Sequence, residues 1–361
     1  MSERLQISDE LSRRLRAVAF LCACLVVPIH CWSPNAWFAG TSDLSLWETA
    51  LAFLLTDTIS RCAVPCFFVL SGFFLALKYE PTVGWYRNLL RKRFMTLYVP
   101  FVIWNVLYLI RNSFLAHQNL FSLKTIFGYD LFVSPGFGMF WYMQVILVAV
   151  LLAPFWLPLV SSRIGAALSV AGLAAAWASG NFGHYFSLQI SAGNFLWLIV
   201  GAAAVFHSDA LIRPAKPLRL TLAILLLLAV LAHVIAGCQN VRPLFVWSDR
   251  LTILFGVHTI FANSDLILKV LSPFASIFSL SFFIYAMHPQ GLLVHIPLDH
   301  LGAPFVLVYL TRIACGVALP IVLGLVLRRF APRVLAILTG GRDRNRAAAH
   351  RHLVCDFGRV I

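Results

Sequence analysis

The sequence predicts an all-α integral membrane protein, a bundle of about ten transmembrane helices with both termini in the cytoplasm. Three observations carry that expectation. Of the 361 residues, 60% are hydrophobic and 12% charged, far from the composition of soluble globular domains. Apolar runs at 15–32, 94–110, 140–160, 218–236 and 305–327 each approach the ~20 residues a helix needs to cross the hydrocarbon core. The alternating segments of a β-barrel are missing. Lipid offers backbone groups no hydrogen-bond partners, which leaves helices as the way across.

Taken in order, the spans fall near 15–33, 52–77, 94–110, 139–160, 166–182, 188–206, 218–236, 244–262, 276–296 and 302–327, the fifth, sixth and eighth having the least marked apolar pattern. With the N-terminus inside, 22 of the 28 Lys and Arg residues face the cytoplasm: those of 4–16, 78–93, 213–219 and 328–361, with Arg163 and Lys269. The positive-inside rule then sets both termini inside. The first external loop, SPNAWFAGTSDLSLWET, has no Lys or Arg, and the long one near 111–138 has Arg111 and Lys124. The net charge of +14 therefore reads as a topology signal and calls for no nucleic-acid partner. Residues 336–361 form a basic tail, expected to be solvated and mobile.

Ser12-Arg13-Arg14 and Leu21-Cys22-Ala23-Cys24 faintly suggest export or lipoprotein signals. The apolar stretch between Arg16 and Cys24 is too short for a signal core and no small-residue cleavage site follows, so the first span is expected to stay in the protein. Cys22, Cys24, Cys62, Cys66 and Cys315 lie inside apolar runs and read as small buried hydrophobes. No His or carboxylate pattern joins Cys62 and Cys66 in a zinc site, and no metal is expected.

The stretch CLVVPIHCW puts His30 near the outer end of the first span, about 21 Å of helix rise beyond Arg16 and nearly on its face. An intramembrane histidine is by default a functional candidate; a structural histidine bonded to a neighbouring helix is the alternative. In the second span Asp57 and Arg61 stand one turn apart and are expected to pair. Such a pair is either architectural or places Asp57 where it orients His30, the arrangement general base catalysis needs. His258 and Arg312 are further polar residues in apolar surroundings, with no role assigned.

Five segments in order, RAVAFLCACLVVPIH, SRCAVPCFFVLSGFFLALK, RKRFMTLYVPFVIW, FWYMQVILV and SLSFFIYAMHP, resemble the successive signatures of the membrane acyltransferase 3 family of bacterial O-acyltransferases. The resemblance runs from residue 16 to residue 289, with VPCFFVLSGFFL and SFFIYAMHP its most specific parts. It implies a domain over 1–335 in a multi-pass protein of the bacterial inner membrane. That domain would take an acyl group from cytoplasmic acyl-CoA, acetyl by family habit, and pass it to a sugar or glycan hydroxyl. By the same resemblance His30 is the histidine essential for transfer. Arg16 is a loose match to the first-helix arginine, with thirteen residues between it and His30 where about ten are usual, and a membrane anchor is its other reading. Arg91, Lys92 and Arg93 match the arginine-rich motif associated with CoA, whose phosphates suit arginine's planar fork. Thr96 stands where that motif has its second arginine, so a surface anchor stays open. Ser71, Trp141, Tyr142, Ser281, Tyr285 and His288 are candidates for lining a cavity, with Ser281, Tyr285 and His288 on one face by spacing; helix-to-helix bonding is the other role for their hydroxyls.

A neutral imidazole at His30 would take the acceptor hydroxyl's proton as the thioester carbonyl is attacked. A polytopic transporter or flippase for a glycan or lipid-linked sugar, with His30, Asp57 and Arg61 as a polar relay, is the alternative; it lacks visible repeat symmetry. A noncatalytic scaffold of a glycan assembly complex is a third reading. The bilayer and a glycan or glycolipid acceptor are the partners expected. Homo-oligomerisation, the acceptor, the acyl group and a covalent acyl-histidine step stay open.

Overall fold

The computed structural model describes residues 7–116, 138–179, 191–207, 216–295, 298 and 300–342, and every regular element among them is a helix. Most of the long loop near 111–138 and the tail beyond 342 lie outside those residues.

The first helix, α1 (Asp9–Ile29), starts earlier than the apolar pattern suggests because Ser8 caps it: the Leu11 N–H donates to Ser8 Oγ at 3.2 Å, and Asp9 and Glu10 occupy the positive first turn. It also stops earlier. The His30 N–H reaches back to Val27 O (3.1 Å) and the Cys31 N–H to Pro28 O (3.0 Å), and Pro34 disfavours helix at Ser33. His30 thus caps the helix instead of sitting within it. A short α2 (Asn35–Phe38) follows. The next helix, α3 (Leu46–Leu77), gains a turn over the expected 52–77 because the Glu48 carboxylate accepts from the Ser45 N–H (3.0 Å) and hydroxyl (2.6 Å).

After α3 come α4 (Val83–Phe114), α5 (Trp141–Leu151), α6 (Ala153–Ser161), α7 (Arg163–Ser179), α8 (Ala192–Phe206), α9 (Leu218–Cys238), α10 (Arg242–Ala262), α11 (Ser264–Gly291), α12 (Phe305–Phe330) and α13 (Pro332–Leu338). Each of the ten expected spans finds a helix. Six of them, α3, α4, α9, α10, α11 and α12, are long and apolar enough to cross a membrane, or seven if α5 and α6, bent by 74°, count as one. The bend falls just before Pro154, which has no N–H to continue the ladder. The helices α7 and α8 are apolar but shorter, and α1 carries Arg13, Arg14 and Arg16 in its first half.

Two compact units result. The N-terminal unit comprises Ile7–Phe67 with Asp209–Val326; the mid-chain unit comprises Phe68–Ser208 with Leu327–Ile361 and Met1–Gln6. In the N-terminal unit α1 packs on α11, with Phe20 and Phe278 ring centroids 5.3 Å apart. Bare glycines let α11 and α12 touch: a Cβ on Gly291 would collide with the Cys315 carbonyl, and one on Gly316 with Val27 of α1. In the mid-chain unit Gly72 presses on the Leu198 carbonyl and Gly201 on that of Val69, so α3 and α8 cross nearly backbone to backbone. There the first residues of the expected tail are packed: Trp104 Nε1 donates to Leu338 O at 3.0 Å, and Thr339 and Arg342 are buried. The expected mobile segment therefore does not begin at 336.

Candidate functional site

The meeting of α1, α11 and α12 in the N-terminal unit brings two histidines together. The rings of His30 and His288 stack with centroids 5.2 Å apart and planes 26° from parallel. His288 is fully buried and His30 half-buried. Local chemistry sets the state of His288. Pro289 lies inside the helix and has no N–H, and the acceptor four residues before it, the Tyr285 carbonyl, loses its ladder donor. His288 Nδ1 takes that place at 2.7 Å. A carbonyl only accepts, so Nδ1 carries the hydrogen and Nε2 keeps its lone pair. That Nε2 is buried and bonded to nothing among the described residues.

Around this pair the backbone is held by polar side chains. Arg312, unassigned from the sequence, donates from Nη2 to His30 O at 3.3 Å. Thr56 donates to Pro28 O at 2.9 Å and lies 2.8 Å from the Tyr309 hydroxyl. Thr56 has one hydrogen and gives it to the carbonyl, so Tyr309 is the donor to Thr56. Cys31 and Tyr309, both buried, join Val27 and Leu292 in the apolar cluster beneath.

Asp57 follows Thr56 in the chain, but its side chain turns elsewhere. It pairs with Arg61 at 3.6 Å, one turn on, and Arg61 also reaches Asp249 of α10 at 3.2 Å. No bond joins Asp57 to His30 among the described residues. The segment Phe53–Ile59 is a widened helix, followed by a tight one at Ser60–Cys62. The hydroxyls of Thr58 and Ser60 donate to the carbonyls of Phe53 (2.8 Å) and Leu55 (2.6 Å), five residues back, and so compete with the helical ladder. Asp249 was not legible as a member of this group, because it sits on a separate helix with no spacing that ties it to Arg61. Nearby, His233 Nδ1 meets Ser248 Oγ at 3.1 Å, and its ring stacks on Phe245 at 4.2 Å.

The remaining expected residues divide between the units. Arg16 is half-buried, whereas its neighbour Arg14 is the buried one and donates to Ser264 Oγ from Nε (3.1 Å) and Nη2 (2.7 Å). The hydroxyl of Ser281 serves its own helix, donating to Phe278 O at 2.6 Å, and the Tyr285 ring lies against Phe67 and His288. In the mid-chain unit Ser71 and Tyr142 share a 2.6 Å hydrogen bond, and Trp141 and Tyr142 both pack on Phe68. Arg91 is exposed, Lys92 half-buried and Arg93 buried. Among the described residues no three His, Cys, Asp or Glu side chains are placed to hold a metal.

No curated protein and no solved structure matches the chain. The acyltransferase 3 family, described as an acyltransferase domain, matches residues 15–329. That range contains both histidines, the Asp57–Arg61–Asp249 group and the arginines of α4, and covers nearly the whole chain; the protein belongs to this family of membrane acyltransferases.

Proposed function

We propose that the protein moves an acyl group, acetyl first among candidates, from cytoplasmic acyl-CoA to a hydroxyl of a sugar or cell-envelope glycan. It does so as a multi-pass protein of a bacterial inner membrane, with ten spans and both termini inside. The observation that carries the reading is the stacked pair His30 and His288, whose buried Nε2 at His288 holds a lone pair with no partner among the described residues. A sugar hydroxyl is a weak nucleophile at neutral pH and gains most from a positioned base.

In this reading His30 takes the hydroxyl proton as the oxygen bonds to the thioester carbonyl carbon. The carbon–sulfur bond then breaks, and the proton passes to the departing thiolate, leaving ester and free CoA. Adjacent imidazoles resist carrying two charges at once, so His288 stays neutral while His30 is protonated. The Arg312 bond to the His30 carbonyl holds the cap in place. Arg91, Lys92 and Arg93 receive the donor, and Asp57 with Arg61 and Asp249 forms a polar group of the N-terminal unit. Ser281 and Tyr285 shape the surroundings of the pair in the N-terminal unit, and Ser71, Trp141 and Tyr142 line the region around Phe68 in the mid-chain unit.

Glycan acylation in cells with the protein, without it, and with His30→Ala tests the reading. Acylation that depends on the protein and vanishes in the variant at equal folded protein is the expected result. Unchanged glycans in the deletion strain, with a labelled sugar lipid no longer crossing the membrane, would instead establish the transporter.

A further inference from the structure

Arg312 is a cation that the polar network around the histidine pair does not use up. It lies within α12 and is half-buried. Its Nη2 donates to His30 O at 3.3 Å, while its Nε is enclosed and bonds to nothing among the described residues. Cys31 and Tyr309 lie within reach of its charge, and both are already engaged. Cys31 Sγ donates to Val27 O at 3.3 Å, and the Tyr309 hydroxyl donates to Thr56.

The acids of the N-terminal unit have other partners. Asp57 and Asp249 stand on Arg61, Asp265 pairs with Arg219, and Glu48 accepts from Ser45; none of the described carboxylates reaches Arg312. A guanidinium keeps its charge in any protein environment, and a charge without a counter-ion inside a membrane protein is costly enough to mark a functional group. Two polar atoms next to the His30 residue are thus unengaged, and they are of opposite kind: His288 Nε2 accepts and Arg312 Nε donates.

We infer that Arg312 is a catalytic residue of acyl transfer, the cation that receives the negative oxygen of the tetrahedral intermediate. This deepens the proposed function and rests on it. As the acceptor oxygen bonds to the thioester carbonyl carbon, the hydroxyl proton goes to His30 and the π pair moves onto the carbonyl oxygen. A donor fixed in place before the reaction stabilises that charge without reorganising. When the pair returns to re-form the carbonyl, the carbon–sulfur bond breaks, the proton passes from His30 to the thiolate sulfur, and Arg312 is left as it began. The oxygen that loses its proton and the oxygen that gains the charge are bonded to the same carbon, so base and cation must stand close together. The Arg312 bond to the His30 carbonyl ties the guanidinium to the residue that takes the proton.

The test uses the full chain in nanodiscs and two ketone analogues of acetyl-CoA, in which a methylene separates sulfur from carbonyl so that no transfer occurs. One is a methyl ketone. The other is a trifluoromethyl ketone, whose carbonyl carbon becomes tetrahedral on hydration and resembles the intermediate. The wild type is expected to bind the second at least about 10²-fold tighter. Arg312→Gln is expected to lose most of that preference while binding the methyl ketone as before, and its kcat should fall by about 10²–10³-fold at an unchanged donor KM. Arg312→Lys, which keeps the charge but has no Nε, carries the test should Arg312→Gln fail to fold, and is expected to show an intermediate preference. A full wild-type preference in the folded variants overturns the assignment even where kcat falls, because a residue that only holds the His30 carbonyl slows transfer without moving that ratio. A raised acceptor KM at wild-type kcat also overturns it and puts Arg312 on an anionic group of the acceptor. A wild type that binds neither ketone removes the CoA donor and sinks the proposed function together with this assignment, whereas equal discrimination by wild type and variants sinks the assignment alone.

Discussion

Pro289→Ala probes the histidine pair without touching either imidazole. The change gives residue 289 an N–H that can bond the Tyr285 carbonyl, the acceptor that His288 Nδ1 now holds at 2.7 Å. A neutral hydrogen bond is worth about 1 kcal/mol net, so sharing the acceptor lowers the population with a lone pair on Nε2 by about fivefold. The same substitution removes an interior proline whose ring and missing N–H cost a helix about 3 kcal/mol. The protein is therefore expected to become more stable as its acyl-transfer kcat falls about fivefold. Rates measured on purified protein in nanodiscs, with thermal unfolding on the same samples, separate the two effects. A stabilised Pro289→Ala protein with wild-type kcat would refute the tautomer argument, and a destabilised one would refute the account of the kink.

Four further outcomes follow from the geometry. His30→Ala should lower acyl transfer by about 10²–10⁴-fold at constant folded protein, since interhelical polar contacts in membranes average roughly 0.6 kcal/mol; glycan acylation per folded protein measures it. Arg61→Ala leaves buried Asp57 without its partner and should destabilise by about 1 kcal/mol, whereas Asp249→Asn, which keeps the Asp57 pair, should cost less in unfolding assays. Gly291→Ala drives a methyl into the Cys315 carbonyl and should cost about 1–3 kcal/mol, visible as a lower unfolding temperature. Cysteines placed at 34–45 should label from outside and those at 80–90 should not; outside labelling at 80–90 reverses the topology.

The sequence by itself determined the material of the fold. Composition and apolar runs announced helices, and helix is found in each of the ten runs, the fourth broken into α5 and α6 and six of the helices long and apolar enough to cross a membrane, because the demand to satisfy backbone groups acts on every segment separately. It also marked His30, Arg93 and the SFFIYAMHP segment, and the i, i+4 spacing of Asp57 and Arg61 was enough to foresee their ion pair, since neighbours one turn apart face each other whatever the rest of the chain does. Local caps moved the ends of α1 and α3 by a turn or more, and those signals, Ser8 and the Ser45–Glu48 box, are written in polar residues outside the apolar runs.

Tertiary structure alone decided which chemistries meet. It set Arg61, the partner of Asp57, against Asp249 of α10, and His288 of α11 against His30 of α1. Neither result follows from spacing, because each joins helices whose approach depends on bare glycines, Gly291 on Cys315 and Gly316 on Val27 for α11, α12 and α1, and Gly256 on Cys62 for α10 and α3. The arginine that the family pattern leads one to expect at position 96 is a threonine; a buried cation reaches the same region from Arg342, carried there by a Schellman turn and Trp104. Local periodicity reports how one segment meets its solvent, whereas a site drawn from distant segments depends on close packing between them, which no single segment encodes.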